Sequence, residues 1–280
     1  MKNILLPTDF SKNSVNAINY AIKLFEHTAC NFYILNVQKA SSFISDDMMV
    51  VSSSATIYNT LIDAAKKSIA NIISHIENKF KKENHTFHSI VDYDNFIDSI
   101  NQICINHHID FIVMGTKGAS GLEKVIFGTN TIHVIQRCKV PVLAIPDGCK
   151  YKSINTIAFT SSLSSSYKIE DLKPLKVLLK LNHSKLNVLH VVKDSNIEEN
   201  LDENKDFFNT NFYLVEYNKI LSDDKDVYNN IHDYAIKNNV EMIAMLSKNH
   251  TFLERLFNTH SVETFASKID IPFLVMKKSE

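Results

Sequence analysis

Glycine is nearly missing from this chain. There are five in 280 residues, and four of them, Gly115, Gly118, Gly121 and Gly128, crowd into one short stretch. Tryptophan is absent, and the four cysteines (Cys30, Cys104, Cys138, Cys149) show no C-x-x-C spacing. That suits a reducing cytosol better than a disulfide scaffold. No apolar run reaches the ~18 residues that span a bilayer. The start, Met1 to Asp9, is broken by Pro7 too early for a signal peptide. No charge of either sign is in excess: 30 basic against 31 acidic side chains leave −1. A nucleic-acid or anionic-membrane binder would carry a basic surplus, so neither partner is expected. What remains, 45% hydrophobic and 22% charged residues, is ordinary globular composition for a cytoplasmic chain of two domains.

Hydrophobic periodicity supplies the organisation. A short apolar run, Asn3–Leu6, leads through Pro7-Thr8-Asp9 to a helical stripe (Val15, Ile18, Ala21, Ile22, Phe25) and a second strand, Asn31–Val37. Strand, helix and strand with short links read as a parallel βαβ unit. Ser41–Ser54 reads as a loop, with a long helix from Ile57 to Phe80. A third strand is expected at Phe87–Tyr93, and a helix over Phe96–Cys104 that Asp94 would cap. The unbroken run Phe111–Met114 is expected to be buried on both faces. Thr129–Cys138 reads as helix and Val140–Ile145 as a fifth strand. Pro146-Asp147-Gly148 is turn chemistry.

The plan then repeats. Laying Ile112–Ile145 on Ile243–Met276 without a gap gives seven identities, among them Met114 with Met245, Lys117 with Lys248 and Pro141 with Pro272. Asn31–Val37 resembles Lys185–Val191, and Thr86–Tyr93 resembles Asn211–Tyr217. Two copies of one α/β domain are expected, residues 1–147 and 152–280. The shorter stretch between strands two and three implies that the second copy has lost or shortened the long helix.

The glycine-rich segment leaves a buried strand and ends at a helix start. In an open α/β sheet, ligands bind there, beyond the carboxyl ends of the strands. Unpaired N–H groups and the positive end of a helix dipole attract phosphate at such a place. Glycine allows the backbone to turn left-handed or to approach a ligand closely. The other reading is a surface loop that merely joins two elements. The spacing is neither that of a P-loop nor the Rossmann G-x-G-x-x-G.

Gly115-x2-Gly118-x9-Gly128-Thr129 does resemble the G-x2-G-x9-G-[ST] signature of the universal stress proteins. Pro7-Thr8-Asp9, Leu35-Asn36-Val37, Ile112-Val113-Met114-Gly115 and Val140-Pro141-Val142 stand where that family has its equivalents. The resemblance implies, in each copy, a doubly wound five-stranded parallel sheet in the order 3-2-1-4-5. It also implies ATP, possibly with Mg2+, in the first domain. Asp9 resembles the acid that contacts the ribose or adenine side, and Val37 the position whose backbone reads the adenine edge. Gly115, Gly118, Gly128, Thr129 and Thr131 would surround the phosphates, flanked by Pro7, Thr8, Met114 and Asn130. Lys117, Ala119 and Asn36 depart from the family's frequent His, Arg and His.

The second copy lacks this equipment. Leu246, Asn249, Thr259 and His260 replace the glycines and threonine, and Thr160-Ser161-Ser162 replaces the Pro-Thr-Asp. Nucleotide is therefore expected in the first half alone. The serine cluster Ser161–Ser166 is turn and cap chemistry. His85, His88, His107, His108, His183 and His190 have no further ligand at zinc-like spacing. The resemblance implies a stress-response regulator or scaffold with at most slow ATP hydrolysis, because the motif brings no general base. It also implies an intramolecular pair of domains joined at their last strands, a possible homodimer and an unidentified protein partner. Two other readings stay open. One is a nucleotide-free interaction module; the other is an adenine-nucleotide-using transferase, whose H-x-G-H or S-G-G-x-D-S motifs are not present.

Overall fold

The apolar run Lys2–Pro7 forms the first strand (β1) and ends where proline has no N–H to extend a ladder. Ser11 then caps α1 (Lys12–Leu24), its side chain accepting from Ser14 N. In the computed structural model, residues 1–38, 51–80, 84–116, 128–161, 167–192, 201–221, 227–247 and 271–279 are described. Chain order continues with β2 (Cys30–Val37), α2 (Val51–Phe80), β3 (His85–Asp92), α3 (Phe96–Asn106), β4 (Phe111–Gly115), α4 (Thr129–Arg137) and β5 (Val142–Ile145). After a turn at Gly148, whose φ is +69°, come β6 (Thr156–Ser161), α5 (Lys173–Asn182), β7 (Lys185–Val192), α6 (Leu201–Asn211) and β8 (Val215–Leu221). The last elements are α7 (Val227–Lys237), β9 (Met242–Ser247) and β10 (Phe273–Lys277).

All ten strands form one sheet in the order β3-β2-β1-β4-β5-β10-β9-β6-β7-β8. The first five have the order 3-2-1-4-5, and the last five repeat it in mirror sequence across the sheet. Every pairing within a half is parallel. The seam is antiparallel: Phe273 pairs with Ala144, Leu274 with Leu143 and Val275 with Val142.

The two halves agree in register. Ile112 pairs with Val142 in the first, and Ile243 with Phe273 in the second, as the gapless sequence alignment requires. Leu143 and Leu274 are equivalent positions that pair with each other, so a local two-fold axis passes between them. One polar contact repeats as well. Asp110 Oδ2 accepts from Asn3 N at 2.9 Å, and its counterpart Glu241 Oε2 accepts from Thr156 N at 2.9 Å. Each carboxylate satisfies an N–H at the start of an inner strand.

Side chains alternate between two apolar layers that each run the length of the sheet. Ile4, Leu6, Phe32, Phe111, Leu143, Leu274 and Phe159 lie on the face covered by α1, α2 and α5 and by Phe208 of α6. Leu5, Ile112, Val142, Phe273, Ala158 and Ile243 lie on the face covered by α3 and α4. Burial on both faces accounts for the unbroken apolar runs of the central strands.

Four expectations are corrected. The long helix begins at Val51, not Ile57. Residues 51–56 contain no glycine or proline, and serine costs a helix only a few tenths of a kcal/mol. Asn95, not Asp94, caps α3; its side chain accepts from Ile97 N, while Asp94 Oδ1 accepts from Asn95 N. The fifth strand starts at Val142, because Pro141 contributes only its carbonyl, to Ile112 N. The eighth strand lies later than Asn211–Tyr217. Asn211 ends α6, and Phe212 closes it by donating to Phe208 O before a turn at Leu214, φ +56°. The second copy's counterpart of α2 is short, as its spacing predicted.

Several histidines take structural posts: His85 meets Phe25 O, His88 stacks on Tyr33 while His107 packs against the same ring at a tilt, and His183 ends α5 in the left-handed conformation. His190, 1% exposed, has no hydrogen-bond partner at either ring nitrogen.

Two predictions follow from this packing. Leu143→Ala and Leu274→Ala remove fully buried side chains at equivalent places. Each lowers unfolding free energy in urea by about 2–5 kcal/mol, and by similar amounts if the two-fold holds. Burial, then Lys205 and Lys219, hold the His190 pKa below its ordinary 6.5. The unfolded chain therefore takes up a proton that the native chain refuses, and stability falls as pH drops through 6.5. His190→Leu flattens that acid limb in urea titrations across this range.

Candidate functional site

The β1–β4 junction is where the first half's connections change direction, with β2 on one side and β5 on the other. The carboxyl tips of β1 and β4 therefore open a crevice that no crossover covers. At the β1 tip, Thr8 is spent on shaping the turn. Its hydroxyl is 2.9 Å from Ser14 Oγ and accepts from Phe10 N at 3.0 Å, and its carbonyl accepts from Asn36 Nδ2 at 2.8 Å. Phe10 is held at φ +64°, a conformation costing a bulky residue about 1–3 kcal/mol. Between them Asp9 points to solvent, its Oδ1 accepting from Ser11 N at 3.1 Å.

At the β4 tip, Gly115 meets α1. A Cβ there would lie 3.0 Å from the Asn13 side-chain carbon Cγ, tighter than ordinary contact. Asn13 is itself buried, so the glycine lets the α1 start press against the β4 end and binds the two tips together. The far end of the glycine segment returns to the same place. Gly128 N donates to Thr116 O, and the Thr131 hydroxyl donates to Gly115 O at 2.9 Å. These bonds anchor the α4 amino terminus beside the strand tip. Its N-cap is Gly128, which has no side chain to cover the first-turn N–H groups. Thr129 and Asn130, in that turn, are exposed. The arrangement is a cradle of backbone donors at the positive end of a helix.

The structure thus gathers Pro7, Thr8, Asp9, Gly115, Gly128, Thr129, Asn130 and Thr131 around one crevice, with Val37 half-buried at the neighbouring β2 tip. Their roles divide. Thr8 and Thr131 spend their hydroxyls within the protein. Pro7 is buried, and the Met114 side chain packs in the α3/α4 layer, so only its backbone faces the tip. Gly118, with Lys117, Ala119 and Gly121, lies outside the described residues.

Asn13, Ser14 and Phe10 were not singled out from the sequence. A polar Asn13-Ser14 pair on the buried stripe of α1 was the available signal. Burial pushes the Cys30 and Cys104 thiols up to about 12 and Cys138 to about 11, so none of these supplies a thiolate at neutral pH. Among the described residues, no group of three or more His, Cys, Asp or Glu could hold a metal ion, and no helix is long and apolar enough to cross a membrane.

At the matching place in the second half, Leu246 replaces Gly115, and the Ser161 hydroxyl is engaged with Tyr167 Oη at 2.8 Å. Ser162, Asn249, Thr259 and His260 lie outside the described residues. Thr131→Val tests the first-half anchor: it strands the buried Gly115 carbonyl and lowers stability in urea by about 1–3 kcal/mol.

Comparison with known proteins bears on the family and the fold. The family model described as the universal stress protein family matches residues 1–146. A universal stress protein of Methanocaldococcus jannaschii is 26% identical over 144 residues, 51% of this chain and 81% of its own length. A second from the same organism is 24% identical over 157 residues, 51% of this chain and 94% of its own. Along the whole chain, the crystal structure of a universal stress protein from Archaeoglobus fulgidus superposes with a TM-score of 0.69 at 18% identity, covering 99% of this chain and 97% of that one. That likeness shows a shared fold through both halves. With its family model spanning β1 to β5 and the strand order that the family's fold requires, the chain belongs to the universal stress protein family.

Proposed function

We propose that the β1–β4 crevice binds ATP, and that the chain is a stress-response regulator or scaffold whose bound state is read by another protein. On this reading residues 1–147 form the binding domain. Residues 152–280 are a second copy that has kept the sheet and lost the site, so the chain is a pair of domains with one nucleotide.

The observation carrying the proposal is the convergence of both ends of the glycine segment on the β4 tip beside the start of α1, through Gly128 N to Thr116 O and Gly115 against Asn13. Backbone donors at a helix amino terminus, beside an exposed carboxylate, have the chemistry of a nucleotide site. The phosphates would lie against the backbone at Gly115 and Gly128 and the exposed first turn at Thr129 and Asn130. Asp9 would accept from ribose hydroxyls, and the backbone at Val37 would meet the adenine edge. Mg2+ would arrive with the phosphates and neutralise part of their charge. On this reading any ATP hydrolysis would be slow, because the motif brings no general base.

Calorimetric titration of the full chain with ATP is the test. The expected result is saturable binding, weakened at least tenfold in Asp9→Ala and in Gly118→Val, each with unchanged thermal stability. Full affinity in both variants would overturn the assignment.

A further inference from the structure

A second cleft, of about 610 Å³, opens on the seam between the halves. One wall is the last turn of α4 and the approach to β5, with Arg137 and Lys139. The other is the carboxyl ends of β9 and β10 and the residues before α5, with Ser247, Lys277, Lys278 and Asp171. Its volume falls within the usual range of small-molecule sites. It shares no residue with the β1–β4 crevice and does not depend on the nucleotide reading.

The polar groups of this cleft are unevenly satisfied. Lys277 is partly buried, and its ammonium donates to the Gln136 carbonyl at 3.2 Å, at the negative end of α4. Burial lowers its pKa, so the cation is short of solvation where it stands. Asp171, 5% exposed, accepts through Oδ1 from Ser279 N at 2.9 Å and from the Ser279 hydroxyl at 2.6 Å. Its other oxygen, Oδ2, meets no hydrogen-bond partner. Ser247, 2% exposed, likewise has no partner for Oγ. Both atoms are also closed to solvent as they stand, so an occupant of the cleft meets them only when the Asp171 and Ser247 side chains turn toward it.

The donor and acceptor balance indicates the occupant. Three further cations beside Lys278, namely Arg137, Lys139 and Lys277, line the cleft against two carboxylates, Glu170 and Asp171. The surplus calls for an anion, and an arginine fork beside ammonium groups suits a phosphate. The carboxylate oxygen of Asp171 can only accept, so the same ligand must also bring a donor. Ser247 can answer either way.

We propose that the seam cleft binds a small phosphorylated polyhydroxyl compound, of sugar-phosphate size, with its phosphate among Arg137, Lys139 and Lys277 and a hydroxyl donated to Asp171 Oδ2 beside Ser247. Because the two walls come from different halves, an occupant would bridge the seam and couple their relative position to its own concentration.

The test is calorimetric titration of the full chain with ribose 5-phosphate and glycerol 3-phosphate, against ribose and inorganic phosphate alone. At least one phosphate ester is expected to bind more than tenfold tighter than either fragment. Binding is expected to be lost in Arg137→Ala, an exposed change that leaves folding intact, and in Lys277→Met, and to be retained in Asp9→Ala. Absence of binding by both esters at millimolar concentration would overturn the proposal. So would inorganic phosphate binding as tightly as the esters, which marks an adventitious ion only. Affinity that survives both Arg137→Ala and Lys277→Met, or is lost in Asp9→Ala, would overturn it too.

Discussion

The antiparallel pairing of β5 with β10 is the contact on which the rest of the molecule depends. Each half ends in a strand that would otherwise be an exposed edge, with a full row of unpaired backbone groups. Pairing them joins two five-stranded sheets into one of ten. It also makes both apolar layers continuous across the seam, with Leu143 and Leu274 on one face and Val142 and Phe273 on the other. Because equivalent residues pair about a local two-fold, the carboxyl ends of the two sets of parallel strands point in opposite directions. The β1–β4 crevice therefore sits at one end of the sheet, and the second half's matching tips at the other.

Within that frame the first half's crevice is a product of topology and small groups. The order 3-2-1-4-5 leaves the β1 and β4 tips uncovered. Gly115 permits Asn13 to close on the strand end, while Phe10 at positive φ turns the chain from β1 into α1. The hydroxyls of Thr8 and Thr131 hold the turn and the loop end, so the groups left to face outward are Asp9 and the start of α4. The second half pairs its strands in the same register with Leu246 at the glycine position. The sheet therefore does not require the glycine; the close approach does.

Much of the fold was legible from periodicity, because the central strands are buried on both faces and read as unbroken apolar runs such as Phe111–Met114. The internal repeat was legible for the same reason: matching registers need matching patterns, and Pro141 and Pro272 mark the same strand entry. Phe212 misled because an aromatic that plugs the core at a helix end looks, in sequence, like one inside a strand. Asp94 and Asn95 are both good caps, and only the backbone decides between them. Of the site, the glycines and Asp9 were visible through their spacing. Asn13 was not, since a buried amide that fits against a missing Cβ leaves no periodic trace. Nor did the seam cleft, whose lining comes from separate stretches of the chain, show any local pattern.

The central claim is that a symmetric sheet carries an asymmetric function, with one nucleotide site per chain. Denaturing the purified protein and counting the released nucleotide against chain concentration, by chromatography and mass, after saturation with ATP, tests it most directly. The account predicts close to one ATP per chain. Two per chain would show that the second half binds without glycine at Leu246, and none would leave the crevice a joint between elements; either result contradicts it.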